Sequence, residues 1–318
     1  MEKIRVGVVG VGYLGQYHAE KYSKLSEVEL VGIVDIDHAR ASEIAKRYTT
    51  KAFFRHSDLF EDVHAVSIAV PTTLHYRVAG DFLDNGIDIL LEKPIATTVE
   101  EADDLIEMAE KRNLIFQVGH LERYNSAIVA IQDVLSNPIF IESHRLSSFT
   151  DRSADIDVVL DLMIHDIDII LNLVNSEIER IDAVGIPVIS SKVDIANARI
   201  TFANGCIANI TASRISDKTM RKIRIFQPDA YVSIDFASKK VGLYNRIEND
   251  EESGGLPKIE VNDVKINESD SLEEEIKSFV NSVITRKPLP VSCYDGKKAL
   301  SVALRILNEI KQVNTHHL

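Results

Sequence analysis

The sequence predicts an α/β plus α+β protein: a doubly wound parallel sheet at the N-terminal end, followed by an open, predominantly antiparallel sheet domain. Three observations predict it. Through about residue 120, short apolar runs alternate with helical stretches, the pattern of a parallel sheet covered on both faces. A G-x-G-x-x-G run, Gly10, Gly12 and Gly15, stands directly after the first apolar run and opens a helical stretch. After Gly119 the period changes to alternation, with a strong hairpin signal at Asn204-Gly205.

Taken in order, the strands expected in the first part are "IRVGVVG", "VELVGIVD", "AVSIAV", "IDILLEK" and "LIFQVGH". Between them lie "LGQYHAEKYSKL", "HARASEIAKRY", "YRVAGDFLDNG" and "TVEEADDLIEMAEKRN", each apolar at helical spacing and long enough for a right-handed crossover. The second part opens with a helix over 126–135 and then the very apolar stretch "DVVLDLMIHDIDIIL". "IERIDAVGIPVI", "IANARITFANGCIANITASRI", "RKIRIFQPDAYVSIDF" and "KVGLYN" alternate as strands do. The polar, glycine-containing "RIENDEESGGLPK" predicts a mobile surface loop. Two helices, "SLEEEIKSFVNSVI" and "GKKALSVALRILNEIKQ", close the chain, the second expected to pack back on the first domain. The boundary expected from these patterns divides 1–120 from 121–318.

A chain of 318 residues fits two domains, each with its own core. Its formal net charge of −13 argues against nucleic acid or an anionic membrane as partner. Only Cys206 and Cys293 are present, in no metal or disulfide spacing, which fits a reducing cytoplasm. No apolar run reaches membrane-spanning length, and the first strand begins too early for a signal peptide. The expectation is a soluble cytoplasmic protein.

The three glycines of the first turn differ in what they allow. One permits a tight turn, one lets the backbone approach a pyrophosphate closely, and one lets helix pack closely on strand. With Tyr13 and Leu14 between them, they lead into a helix whose N-terminus offers N–H groups to phosphate. Asp35 ends the second strand 20 residues after Gly15, where a ribose-binding carboxylate belongs. Asp37 follows closely, so a 2′-phosphate would meet two carboxylates with Arg40 the nearest counter-charge; NAD is favoured over NADP. Asp37 also suits a helix N-cap. Pro71, Thr72 and His75, and then Glu92, Lys93 and Pro94, end the next strands at the same carboxyl edge, where ligands bind in such sheets.

The stretch 157–171 poses a different question, because four aspartates and a histidine interrupt its apolar residues. At about 100° per residue, Asp161, His165 and Asp168 fall within roughly 60° of one helix face, while Asp166 points elsewhere. Buried charge is expensive unless paired or put to use. The stripe reads either as a catalytic acid and imidazole or as a pair that merely satisfies itself. Its oxygen and nitrogen donors also suit zinc or manganese, although no metal is expected.

Together these motifs resemble the Gfo/Idh/MocA oxidoreductases: the glycine fingerprint, Asp35, "VPTTLH", "EKP", and a D-x-x-x-H helix at Asp161 and His165. The resemblance covers essentially the whole chain. It implies a Rossmann domain, a nicotinamide cofactor and oxidation of a sugar or polyol carbinol. It also implies that Lys93, Asp161 and His165 are the catalytic set, and that the open sheet joins subunits into a homodimer or homotetramer. One departure is informative. Leu162 and Met163 stand inside the motif where many relatives carry nearby glycines. With "VGHLERYN" over 118–125, this form is similar to the bacterial members that oxidise UDP-N-acetylglucosamine at C3 on the way to lipid A. A free polyol such as inositol, or a non-catalytic NAD sensor, are the alternatives. A diphosphate substrate implies cations, for which Arg123, Arg152 and Arg214 are candidates, with ordinary salt bridges the competing reading. His120, Glu122, Tyr124 and Asn125, where the chain passes between domains, and Asp168 complete the substrate-side candidates.

Overall fold

The computed structural model describes residues 3–132, 134–150, 156–247, 258–266 and 269–315. The chain forms two compact units, Met1–Tyr124 with Ser269–Ser301, and Asn125–Glu268 with Val302–Leu318. This departs from the expected division at 120, because 269–301 returns to the first unit.

The first unit is built on six parallel strands: β1 (Ile4–Val9), β2 (Val28–Val34), β3 (Lys51–Phe53), β4 (Ala65–Ile68), β5 (Asp88–Glu92) and β6 (Phe116–Gly119). Their order is β3-β2-β1-β4-β5-β6. The direction of winding reverses between β1 and β4, so the loops that follow these two strands emerge side by side at the carboxyl edge. The crossover helices are α1 (Gly15–Lys24), α2 (His38–Arg47), α3 (His75–Asp84) and α4 (Val99–Lys111). Asp37 and Thr98 cap α2 and α4 with side-chain oxygens on first-turn N–H groups. Val6, Val8, Ile33 and Leu90 form the core with Tyr22 of α1. The same cluster takes in Ile276, Phe279, Val280 and Val283 from the helix Ser271–Thr285, the penultimate one. That apolar face is why this helix, expected in the second domain, belongs to the first unit.

The second unit carries β7 (Phe140–Leu146), β8 (Ile178–Ile186), β9 (Ile195–Phe202), β10 (Ile207–Ser213), β11 (Met220–Phe226), β12 (Ala230–Asp235), β13 (Lys240–Ile247) and β14 (Lys258–Asp263). The order is β14-β13-β12-β11-β7-β10-β9-β8, antiparallel throughout except for the central parallel pair β7 and β10. Gly205 turns the β9–β10 hairpin with φ at 86°. One sheet face is apolar and buried, with Ile141, Ala198, Ile200, Ala208, Ile210, Ile223, Ile225 and Val232. Across the other face runs a ladder of rings: Phe140, Phe226, Tyr231 and Tyr244 stand 5.6, 4.7 and 4.8 Å apart in succession.

The helices here are α5 (Ser126–Ile131), shorter than expected, and α6 (Ile164–Leu173), which continues from a π turn over Val159–Met163. The penultimate helix, Ser271–Thr285, is α7. The final helix, α8 (Cys293–Thr315), gives its residues up to Ser301 to the first unit and the rest to the second. Of the loop expected over 246–258, residues 248–257 lie outside the described residues. Among the described residues, no helix is long and apolar enough to cross a membrane.

Candidate functional site

The glycine turn after β1 separates into glycines the protein itself requires and one it does not. Gly10 has φ at 82°, and a Cβ there would stand 2.6 Å from the Ala69 carbonyl oxygen. A Cβ on Gly15 would stand 1.8 Å from the Gly10 oxygen. A Cβ on Gly12 would meet nothing within 4 Å, so that glycine keeps open a space the protein does not fill. Directly beyond it, α1 begins at Leu14 with no capping side chain and no acidic residue in its first turn. Gln16 N and Tyr17 N donate to the Gly12 and Leu14 carbonyls, so what the helix start turns toward an anion is chiefly the positive end of its dipole. An open cradle over an uncapped helix start fits a dinucleotide pyrophosphate. Tyr13 is 59% exposed at its rim, its ring edge-on to Tyr17 at 5.6 Å.

Asp35 follows β2, almost buried, and its carboxylate accepts from Val11 N and from Asp37 N, each at 2.9 Å. Two further lone-pair positions remain on such a carboxylate for ribose hydroxyls. Arg40 stands 3.9 Å from Asp35 and 3.2 Å from Asp37, and Asp37 also caps α2. The neighbouring cation is already shared between two carboxylates, an arrangement that disfavours a 2′-phosphate. The sequence reading missed the apolar surface beside it. Ile36 is 89% exposed, and His38 stacks on Phe54 at 3.8 Å.

At the ends of β4 and β5, the expected edge residues divide. Pro71 is exposed, Thr72 begins a short turn over Thr72–Leu74, and Lys93 is half-buried at a cis peptide to Pro94. His75, expected at the cofactor, has internal partners for both ring nitrogens. Its ring is buried, with Nδ1 2.7 Å from the Pro94 carbonyl and Nε2 2.9 Å from that of Val70. Burial lowers its pKa, against the opposing pull of those two carbonyls. It ties the two edge loops together. Glu92 is also buried, with His18 Nε2 3.1 Å from its Oε1.

In the second unit, Asp161 lies on the π turn and His165 on the first turn of α6, both half-buried. Because the hydrogen bonding shifts to i→i+5 there, the uniform 100° spacing expected for 157–171 does not hold across it. Asp157 anchors this turn: its carboxylate accepts from Val193 N at 2.8 Å, and its carbonyl from Leu160 N and Asp161 N, both at 3.0 Å. Asp168 is buried deeper than the other two, at 3% exposure. Asp166 points to the sheet, into a paired contact with Arg145. Among the described residues no group of three or more His, Cys, Asp or Glu is arranged to hold a metal ion.

Several expected substrate residues have partners within the fold. Arg123 is buried in an ion pair with Asp295 at 3.2 Å, and Tyr124 donates to Ser278 Oγ at 3.2 Å while burial pushes its phenol up. Asn125 caps α5. Arg214, 3% exposed, donates to the Ile156 and Val193 carbonyls and stands 3.3 Å from Asp194. Charge-assisted contacts of this kind anchor both guanidiniums to neighbours in the fold. His120 and Glu122 are buried, and Arg152 lies outside the described residues.

A Rossmann sheet with an open glycine turn before its first helix and a carboxylate after its second strand is the arrangement of a dinucleotide-binding protein. Two family models match the chain: an oxidoreductase family with an NAD-binding Rossmann fold over residues 4–120, and the GFO/IDH/MocA C-terminal domain over residues 130–231. The UDP-N-acetylglucosamine 3-dehydrogenase of Acidithiobacillus ferrooxidans is 38% identical over 307 residues, 96% of this chain and 97% of that one. Its structure superposes with a TM-score of 0.91, at 36% identity, over 98% of this chain and 99% of the other. The scyllo-inositol dehydrogenase of Lactobacillus casei, solved with NAD(H) and scyllo-inositol, shares the fold at a TM-score of 0.82 and 19% identity, over 98% of each chain. The chain belongs to the Gfo/Idh/MocA family of NAD-binding oxidoreductases.

Proposed function

We propose that this protein oxidises UDP-N-acetylglucosamine at C3 with NAD, giving the 3-keto sugar nucleotide that is aminated toward lipid A. The observation that carries the reading is the 38% identity, along almost the whole of both chains, with an enzyme of that activity. Gly10, Gly12, Gly15 and Asp35 would hold the dinucleotide, which when bound supplies the hydride acceptor. The chemistry left to the chain is acid–base and electrostatic. His165, with an imidazole suited to neutral pH, takes the proton of the substrate hydroxyl. Asp161 orients that ring or the sugar. Lys93 stabilises the oxygen as it becomes negative.

Supporting an assembly of copies, the ring ladder from Phe140 to Tyr244 lies on the sheet face opposite the core, where a second subunit would bury it. A homodimer or homotetramer through that face is our reading. Two buried, unpaired cysteines suit the cytoplasm.

The test is NADH formation by purified protein across UDP-N-acetylglucosamine, other UDP-sugars and inositol. Turnover confined to the UDP-N-acetylhexosamine supports the proposal. Turnover of inositol alone, or of no substrate, overturns it.

A further inference from the structure

The chain that enters the π turn of Asp161 is tied to a buried arginine. Arg214 follows β10 directly, and its N–H continues the β9–β10 ladder by donating to the Asp194 carbonyl at 3.0 Å. Its Nε stands 3.3 Å from Asp194 Oδ1, and a terminal nitrogen donates to the Val193 carbonyl at 3.0 Å and to the Ile156 carbonyl. Asp194 is completely buried and accepts in addition from the N–H groups of Val188, Ile189 and Ser190. Val193 is bonded twice to the entering chain. Its N–H donates to the Asp157 carboxylate at 2.8 Å, and its carbonyl accepts from Val158 N at 2.9 Å.

A turn of i→i+5 bonds is rare, and its opening N–H groups have no acceptor within the turn itself. Val158 is completely buried, so its N–H requires an acceptor from elsewhere in the fold, and Val193 supplies it. The guanidinium suits the task of fixing that acceptor, because its planar fork holds several carbonyls at set positions. Out of water it also needs a matched charge, which Asp194 provides.

The sheet explains why the arginine stands there. In the parallel pair of β7 and β10, Ala212 lies opposite Arg145. Arg214 is two residues further on, so alternation puts both arginines on the core face at the same end of the pair. Arg145 holds α6 just after His165, through Asp166, and Arg214 holds the chain just before the π turn.

We propose that Arg214 is a positioning residue for the reaction: by fixing the Ile156 and Val193 carbonyls it sets where the π turn begins, and so where Asp161 and His165 stand toward the substrate. This rests on the reading of those two side chains as groups that act on the sugar.

The experiment compares wild type, Arg214→Met, Arg214→Lys and Val232→Ala, each well below its melting temperature. Amide hydrogen exchange over 158–161, NAD affinity by calorimetry, and kcat and KM for UDP-N-acetylglucosamine are measured. Methionine keeps the bulk of the side chain and removes every donor, whereas lysine keeps the charge beside Asp194 without the fork. Val232→Ala opens a cavity on β12, two strands from β7 and on the side away from β10, and controls for stability lost elsewhere. In Arg214→Met, exchange over 158–161 should quicken by at least about tenfold. Its kcat should fall by about tenfold or more, with NAD affinity within about twofold. Arg214→Lys should lose at least about threefold in kcat, and reads out the proposal even if Arg214→Met does not fold. Val232→Ala should melt earlier yet keep kcat within about twofold. The proposal is overturned if the Arg214 variants exchange over 158–161 as wild type does, if their kcat matches wild type, or if Val232→Ala loses as much kcat as they do. A wild type that turns over no substrate is a separate result: it overturns the proposed function, and the exchange comparison still decides whether Arg214 sets the turn.

Discussion

Arg145 on β7 grips Asp166 on α6 with two parallel bonds, Nε to Oδ2 at 3.0 Å and a terminal nitrogen to Oδ1 at 2.9 Å. Both residues are below 5% exposed, and the guanidinium also lies 5.9 Å from the centre of the Phe236 ring. Asp166 immediately follows His165, so this pair fixes the turn that presents the imidazole. Removing one partner leaves the other charged and buried, and Arg145→Met should destabilise the protein by about 3–5 kcal/mol in urea unfolding. The double variant Arg145→Met with Asp166→Leu should regain most of that loss. A single variant as stable as wild type would show that the pair contributes nothing.

The two glycine substitutions in the first turn should fail in different ways. Gly15→Ala drives a methyl into the Gly10 carbonyl, so both stability and NAD binding should fall. Gly12→Ala has open space around it, so its apo melting temperature should stay within about 2 °C of wild type while NAD affinity drops at least about tenfold. Calorimetric titration with NAD measures the second quantity directly. Undiminished affinity in Gly12→Ala would show that the cradle does not hold the pyrophosphate.

Cofactor preference should follow the charges after β2. Asp35→Ser removes the carboxylate proposed to hold the ribose and leaves Arg40, 3.2 Å from Asp37, with one carboxylate fewer to pair, so that it can meet a 2′-phosphate. The ratio of NADP to NAD affinity should rise by about tenfold or more, the worth of roughly 1.4 kcal/mol. An unchanged ratio would place the discrimination elsewhere.

Asp194 predicts an acid transition. Burial pushes its carboxyl up, but the Ser190 hydroxyl and the N–H groups of Val188, Ser190 and Ile189 outweigh this and hold it well below the usual range. A folded pKa below the unfolded one gives stability that is complete above the unfolded value, about 3.9, and is lost as pH falls from there toward the folded one. Urea unfolding of wild type between about pH 5 and pH 2 should therefore weaken more steeply than that of Asp194→Asn. Parallel curves would contradict the assignment.

The sequence disclosed the first sheet well because its strands are uniformly apolar and separated by helical periods. β3 escaped it, being three residues long, with only Phe53 and Ala52 to mark it. β7 escaped because Ser143 and Arg145 occupy its buried face, where alternation calls for apolar residues. α7 lies with the first unit, which its sequence does not reveal, since periodicity shows that a face is apolar but not what it meets. The site was legible where chemistry requires a residue type at a fixed spacing, as at Gly10, Gly12, Gly15 and Asp35. It was less so where a polar residue had two plausible uses. His75, Arg123, Tyr124 and Arg214 each have a partner distant in sequence, which no local pattern reveals, and Asn125 caps its own helix. His18 carried no signal beyond its place on an amphipathic helix, and Arg145 none that joined it to Asp166.

The most direct measurement is NADH formation from UDP-N-acetylglucosamine by wild type, His165→Ala and Lys93→Met, each shown by calorimetry to bind NAD with wild-type affinity. Turnover by wild type and a loss of at least about a hundredfold in kcat for each variant are the expected results. Variants that bind NAD and turn over at the wild-type rate would contradict the roles given to His165 and Lys93.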